Sequence, residues 1–539
     1  MDSDIDQFGS RRSTVYAHNG VVTTSQPLAA SAGLRVLREG GNAFDAAVAT
    51  AAMLNVVEPT STGLGGDVFM LYRTADGSVG GMRSCGGAPA GATRERVREA
   101  LGNERGVAPE EATMPERGPH TVTVPGTARG WELTVERFGR RSFAEVLQPA
   151  IQSAIDGYPV SEVIASAWTH AETLFERANA RSAYLVGGKR APRAGETVTL
   201  PELGSSLQTI AERGADAVYE GPIADAIVTE VQDAGGFLTM DDLAAFEPEL
   251  LTPVSASYNG VEVYELPPNN QGLIALEALT IAEELGAGDC EYTSAERVHR
   301  FAEATKLAFH DGHRYITDPA YEEIPPLAST AYGRKRAQQV GEKAGEFTFG
   351  VPDAHAEDAD TVLLCVADNA GNVVSYINSR FAGFGSGLVA GDTGIALQNR
   401  GSSFSLNPEH PNRLEPEKRP FHTLIPGLLE FGPDDWAAFG VMGGYMQPQG
   451  HVQVVSNLVD YDHSLQAALD APRWRYRENG RLAVETRIPE RIQHGLVRRG
   501  HDLSILSPIM FGGAQIARNN HGTLSAATEP RKDGNAVGY

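Results

Sequence analysis

Cysteine is scarce in this chain. Cys85, Cys290 and Cys365 are three among 539 residues, an odd number at no metal-ligand spacing, which argues against both a disulfide framework and a thiolate-built metal centre. Lysine is scarce too, occurring only at Lys189, Lys306, Lys335, Lys343, Lys418 and Lys532. Arginine therefore carries the positive charge, scattered among acids, and a net charge of -24 leaves no clustered cations to release counterions from a polyanion. No nucleic-acid partner is expected. No stretch approaches the length of a membrane span, and the start, M-D-S-D-I-D-Q-F-G-S-R-R, has no apolar export core. A cytoplasmic chain without a membrane partner is the expectation. An acidic, lysine-poor surface fits a salt-rich cytoplasm, where screening removes self-repulsion, and fits simple acidic drift equally.

Several catalytic signatures are missing as well. There is no G-x-S-x-G elbow, since G-F-G-S-G at Gly383 has its serine in the wrong place. The loop T-S-T-G-L-G-G-D lacks the G-x-x-x-x-G-K-[ST] spacing of a phosphate cradle, so close backbone packing is its expected role. His299 and Glu303 stand four apart on a predicted helix, with His310 and His313 beyond, but no H-E-x-x-H pattern joins them. Neither a metal nor another cofactor is predicted.

What is present centres on Asp360 to Gly387. An apolar run, Val362 to Ala367, is followed by the turn set Asp368-Asn369-Ala370-Gly371-Asn372 and a second run, Val373 to Ile377, which spells a β-hairpin. Thr361 heads the first strand, directly after a polar, acid-rich segment from Lys343 to Asp360 with the composition of an exposed loop. That layout suits a self-processing N-terminal nucleophile. An internal threonine hydroxyl is weak, but cutting the bond before it frees an α-amine, with a pKa of about 7.7 to 8.0, that takes the hydroxyl proton on the same residue. The plainer alternative is one more β-branched residue in a core strand.

Around this hairpin the pattern alternates helix and strand. Ser25 or Thr24 is placed to cap a helix from Pro27 to Arg38, and Asn42 to start an alanine-rich helix through Asn55, buried on several sides. A strand Val68 to Tyr72 follows, then a polar loop from Gly102 to Pro119, a strand His120 to Pro125, and helices from about Thr127 to Arg181. A strand-rich piece, Pro253 to Leu266, precedes helices Leu273 to Leu285 and Ser294 to about His310. With 41% hydrophobic residues, no visible repeats and no linkers, a single large core is expected despite the length.

The runs T-V-L-L-C-V-A-D-N-A-G-N-V-V-S, F-G-S-G-L-V-A-G-D-T-G-I, K-R-P-F-H-T-L-I-P and V-M-G-G-Y resemble the small subunit of the γ-glutamyltransferase family. G-L-R-V-L-R-E-G-G-N-A-F-D-A-A-V-A, V-V-E-P-T-S-T-G-L-G-G-D and A-P-A-G-A-T resemble its large subunit, in the same order, over about Val15 to Tyr476. The resemblance implies an α+β fold, the four-layer αββα sandwich of N-terminal-nucleophile hydrolases. It also implies a precursor cut between Asp360 and Thr361 into a large subunit, residues 1–360, and a small one, residues 361–539, which together form one compact unit. Thr361 matches the nucleophile, Ser379 an orienting hydroxyl, and Gly443-Gly444 the pair whose N–H groups meet the oxyanion.

The pocket departs from the family pattern. Where the transferases carry an arginine for the substrate α-carboxylate, this chain has Cys85, with Arg83 two residues earlier. The family asparagine becomes Phe381, the glutamine and aspartate that hold the α-amino group become Arg400 and Ser403, and the serine pair becomes His422-Thr423. The segment from Phe404 to Arg419, a lid in the transferases, is shorter. The implied activity is γ-glutamyl hydrolysis or transfer, for example from glutathione, with water or an amine as acceptor. The alternatives are an acylase for another acyl chain, of the glutaryl or cephalosporin-acylase kind, and an uncleaved, inactive binding protein.

Overall fold

A computed structural model of the chain describes residues 12–347 and 359–539. Most of the loop expected to carry the cleavage site, 348–358, lies outside the described residues, as do residues 1–11.

Two seven-stranded sheets, each antiparallel throughout, form the centre. One runs, edge to edge, Asn535–Gly538, Gly20–Thr24, Ala359–Asp368, Val373–Ala382, Asp67–Arg73, Val79–Ser84 and Glu249–Leu251. The other runs Val15–Ala17, Thr523–Thr528, Gly513–Asn520, Asp435–Met442, Gly427–Gly432, Val261–Glu265 and Val254–Tyr258. Strands from before and after Thr361 thus share both sheets.

The period-2 pattern of the hairpin explains the layering. Leu363, Cys365 and Ala367 point between the sheets, where they meet Phe69, Leu71, Leu428, Ala438 and Ala526. Val362, Leu364 and Val366 point the other way, into a core built with the helices Pro27–Arg38, Ala43–Val57, Thr127–Phe138 and Phe143–Asp156. On the far side of the second sheet, Val263, Leu429, Phe439 and Val441 pack against the helices Gly272–Glu284, Ala295–Tyr315 and Met446–Val459. The result is the four-layer αββα sandwich.

The local reading holds at most of these elements and fails at identifiable points. Asn42 caps the helix Ala43–Val57 through a capping box with Asp45, and every residue of that helix is buried. The preceding helix begins at Pro27, but neither Ser25 nor Thr24 caps it. Gln26 holds the N-cap position without a side-chain bond, while the Ser25 hydroxyl donates to Glu58 at 2.5 Å and that of Thr24 to the Leu363 carbonyl at 2.9 Å. The expected strand His120 to Pro125 joins neither sheet. Its first residues close a 3-10 turn, Pro119–Thr121, and the rest is extended without a ladder. The polar loop begins late, because Arg94–Arg105 is a helix capped by Thr93.

The glycine loop is a close-packing device. A Cβ on Gly65 would stand 2.3 Å from the Ala396 carbonyl oxygen, and one on Gly66 2.3 Å from that of Ser379. Only glycine lets this loop lie against the strand that carries Ser379. All three cysteines are free.

Candidate active site

Thr361 is buried within its strand, and the ladder is dislocated at that residue. Asp360 pairs with Phe381 and Val362 with Asn378, so two residues, Ser379 and Arg380, oppose Thr361 alone. A bulge of this kind bends the strand and re-aims the side chains beside it. The Thr361 hydroxyl lies 3.4 Å from that of Ser379, which in turn accepts the Phe381 N–H at 2.8 Å. Phe381 itself is held at φ 80°, a left-handed conformation that a bulky side chain avoids unless its surroundings impose it. That turn seats its ring 4.3 Å from the guanidinium carbon of Arg400.

Arg400 is fully buried at the end of the next segment. Its Nη1 donates to the Thr423 hydroxyl at 2.8 Å, while Nε and Nη2 have no hydrogen-bond partner. Burial presses its pKa down to about 10, and the neighbouring Asp67 opposes that. A guanidinium in this state offers two free donors to whatever enters.

The Thr423 carbonyl accepts from Gln271 Nε2 at 2.8 Å, and the same nitrogen reaches the Gly444 carbonyl at 2.9 Å. Gln271 therefore ties the glycine pair to the Arg400 pocket. Gly443 (φ 115°) and Gly444 (φ 56°) connect the strand Asp435–Met442 to the helix Met446–Val459. Their carbonyls accept from Met446 and Gln447, but among the described residues neither gives its own N–H to a backbone acceptor. Two free N–H groups at a helix start favour a developing negative charge.

Asp67 heads the strand beside Ser379, with which it is in register. It is fully buried, and its carboxylate accepts from His422 Nε2 at 3.0 Å, Gln398 Nε2 at 3.1 Å and Gly126 N at 3.2 Å. Burial raises its pKa to about 7 against the lowering by Arg400, Gln398 and Gly126. His422 Nδ1 accepts the Leu424 N–H at 3.2 Å and its ring stacks on Phe69. The imidazole is thus neutral, and burial and Arg400 push its pKa well below the usual value. Sequence reasoning named His422 and missed Asp67 and Gln398. The one available signal was an acid after the glycine loop, at the head of an apolar strand.

Three further groups named from the sequence lie nearby. Arg83 has all three nitrogens engaged, with Nε and Nη2 on Glu249 and Nη1 on the Pro268 carbonyl and Asn269. Ser403 is buried with its hydroxyl unpartnered, on a 3-10 turn shared with Arg400. Cys85, whose thiol burial raises to about 12, lines the floor of an open cleft of about 640 Å³ together with Gly86, Gly87, Asp242, Tyr321 and Arg419. Asn269 Nδ2 stands 4.0 Å from Cys85 Sγ, and the Asn269 carbonyl accepts from His422 N. Asn269 therefore links the cleft lining to His422.

Away from the site, His299, Glu303 and His501 draw together within metal-ligand range. Lys306 Nζ already sits among them, 2.7 Å from Glu303 and 3.5 Å from His501 Nδ1. His501 Nε2 then meets His299 Nδ1, and His299 Nε2 the Gly341 carbonyl, both at 2.9 Å. One hydrogen-bonded chain uses every ring nitrogen, and the ammonium stands where a cation would. His313 is elsewhere, stacked on Phe421.

Comparison with known proteins shows the family. The chain is 37% identical to the glutathione hydrolase-like YwrD proenzyme of Bacillus subtilis (strain 168), over 96% of this chain and 98% of that one. It is 34% identical to the oxamate amidohydrolase proenzyme of Klebsiella pneumoniae subsp. pneumoniae, over 98% and 99%. Among solved structures, the cephalosporin acylase from Bacillus halodurans superposes with a TM-score of 0.90 at 41% identity, covering 98% of this chain and 97% of that one. With a sequence model of gamma-glutamyltranspeptidase matching residues 29–539, the chain belongs to the gamma-glutamyltranspeptidase family.

Proposed function

We propose that the chain is a self-processing threonine amidohydrolase that removes acyl groups bearing a terminal carboxylate and no ammonium, such as glutaryl. The observation that carries this reading is Arg400: a buried guanidinium with two free donor nitrogens, beside the ring of Phe381 and linked through Ser379 to Thr361. Proenzymes among the relatives support processing, and the names of an oxamate amidohydrolase and a cephalosporin acylase support acyl donors other than γ-glutamyl.

In maturation, Thr361 Oγ1 attacks the carbonyl carbon of Asp360. The peptide nitrogen leaves as the α-amine of Thr361, and water hydrolyses the resulting ester to give the Asp360 carboxylate. Residues 1–360 and 361–539 become the two subunits. In turnover, the α-amine takes the Oγ1 proton as the hydroxyl attacks the donor amide, then passes it to the departing amine. The tetrahedral oxyanion is held by the N–H groups of Gly443 and Gly444. Water, or an amine acceptor, then releases the acyl group from Thr361.

A second reading, γ-glutamyl hydrolysis or transfer as in glutathione breakdown, draws on Asp67 standing beside Arg400 as an acid and base for a zwitterion. Against it, both Asp67 oxygens are already engaged, and an ammonium buried without a matched carboxylate costs several kcal/mol. Comparing kcat/KM for glutaryl and γ-glutamyl anilides on processed protein decides between them. Glutaryl should lead, and a γ-glutamyl preference of about tenfold, or 1.4 kcal/mol, restores the family activity.

A further inference from the structure

Arg400 feels two different carboxylates, the one a donor would bring and that of Asp67, whose partner His422 adjoins the Thr423 that Arg400 binds. We propose that Asp67 is the specificity-setting residue of the pocket: neutral, it leaves Arg400 as the uncompensated charge that captures a donor's carboxylate, and ionised, it takes that charge for itself. This rests on the reading of Arg400 as the acyl-carboxylate receptor.

The geometry provides for a neutral Asp67. His422 contributes a fixed donor, because its Nδ1 is occupied by the Leu424 N–H and its proton must reside on Nε2, facing Asp67 Oδ2. The other oxygen, Oδ1, faces an amide that is satisfied at one end only. Gln398 Nε2 donates to Oδ1, lies 2.9 Å from the Thr123 hydroxyl and has the Thr123 and Val124 carbonyls at the outer limit of 3.5 Å, while its Oε1 is buried with no partner. Turned over, the amide presents Oε1 as acceptor both to a proton on Oδ1 and to the Thr123 hydroxyl. The other donor to Oδ1, Gly126 N, stays satisfied without it, since it also donates to the Gly66 carbonyl at 2.9 Å. The orphaned Gln398 oxygen is what an ionised carboxylate leaves behind and what a protonated one would use.

The other titratable groups that bear on Asp67 are His422, Arg400, Cys85 and Tyr219, with Arg83 acting on His422. Burial holds the thiol and the phenol protonated and the imidazole neutral, and the guanidinium stays charged through neutral pH. Asp67 is left as the group that changes charge near pH 7. A donor carboxylate entering beside it disfavours its ionisation further, so binding above that pH takes up one proton.

The test compares a glutaryl anilide with its uncharged butyryl counterpart across pH, because titration of the Thr361 amine affects both donors alike and cancels in their ratio. In the wild type the glutaryl-to-butyryl ratio of kcat/KM should fall about tenfold per pH unit above about pH 7, mostly through KM. In Asp67→Asn it should be flat, with glutaryl favoured throughout. A flat wild-type ratio, or the same fall in the variant, overturns the proposal.

Should the variant fail to fold, calorimetry of wild-type protein with 5-oxohexanoate, which has the carboxylate but no amide to cleave, gives the proton count from buffers of different ionisation heat. About one proton taken up at pH 8 and almost none at pH 6 is expected, and equal uptake at both overturns the assignment. A γ-glutamyl preference sinks the substrate reading alone, since the glutaryl-to-butyryl ratio still reports on Asp67.

Discussion

At the scale of single residues, Thr361 and Arg400 invite opposite experiments. Thr361→Ala removes the one hydroxyl assigned to both maturation and turnover, so it should abolish both. Scaling 57.5 kDa by the 360 and 179 of 539 residues on either side of the bond gives pieces of about 38 and about 19 kDa in the wild type, and one full-length band in the variant. Cleavage that persisted would place the nucleophile elsewhere. Arg400 is kept at a cost, because a buried charge with two unpartnered donors is poorly compensated. Arg400→Met should therefore raise the melting temperature while lowering kcat/KM for a carboxylate donor by about 10- to 100-fold, the worth of one or two charge-assisted hydrogen bonds. An unchanged kcat/KM would remove Arg400 from the substrate site. Asp67 contributes with the opposite sign to most acids. Its folded pKa of about 7 lies above the 3.8 of an exposed aspartate, so the folded state holds a proton that the unfolded chain releases. The stability it contributes falls as pH rises between those values, and thermal melts of Asp67→Asn should lack that part of the decline.

At the scale of elements, what was legible followed from strong periodicity or strong punctuation. The hairpin of Thr361 alternates between two cores, and the capping box of Asn42 and Asp45 marks its helix start within a residue. Arg94–Arg105 was illegible because Val97, Leu101 and Gly102 are all it buries, too few to show an apolar stripe. His120 to Pro125 reads as a strand by composition, yet Val122 is buried outside either sheet and Val124 exchanges its backbone hydrogen bonds with Gly86 and Gly87, just past the end of the strand Val79–Ser84. Composition alone cannot tell a ladder from extended packing. In the site, residue types carried Thr361, Phe381, Arg400 and His422. The engagement of Arg83 by Glu249 and the placing of Asp67 come from contacts across 166 and 355 residues of sequence, which no local pattern contains. The turn from the strand Asp435–Met442 into the helix Met446–Val459 makes its own prediction. A Cβ on Gly443 would meet Gly512 Cα at 3.2 Å at a φ that side chains rarely adopt. Gly443→Ala should displace the N–H groups proposed to hold the oxyanion and lower kcat on the order of a hundredfold, with a smaller change in KM. A loss confined to KM would separate this turn from the transition state.

At the scale of the whole molecule the dominant fact is charge. Acids outnumber Lys and Arg by 69 to 45, and many of the arginines are already engaged locally, as in Arg35 with Glu39, Arg190 with Glu196 and Arg518 with Asp435. What those pairs leave over is a field of like charge, which destabilises the compact state by self-repulsion. Buried pairs such as Arg531 with Glu485 and Glu529 are shielded from salt by their surroundings, whereas repulsion between exposed acids is screened as the Debye length falls from about 10 Å at 0.1 M to about 3 Å at 1 M. Exposed attractive pairs weaken over the same range, but each contributes only about 0 to 1 kcal/mol, and they are fewer than the acids left unmatched. The balance favours the salt, so the melting temperature should climb steadily from dilute buffer to molar sodium chloride. A sulfate series at matched ionic strength separates screening from exclusion of the anion at the surface, since screening alone gives the same curve for both salts. A flat or falling chloride curve would assign the acidity to drift and detach it from any need for salt.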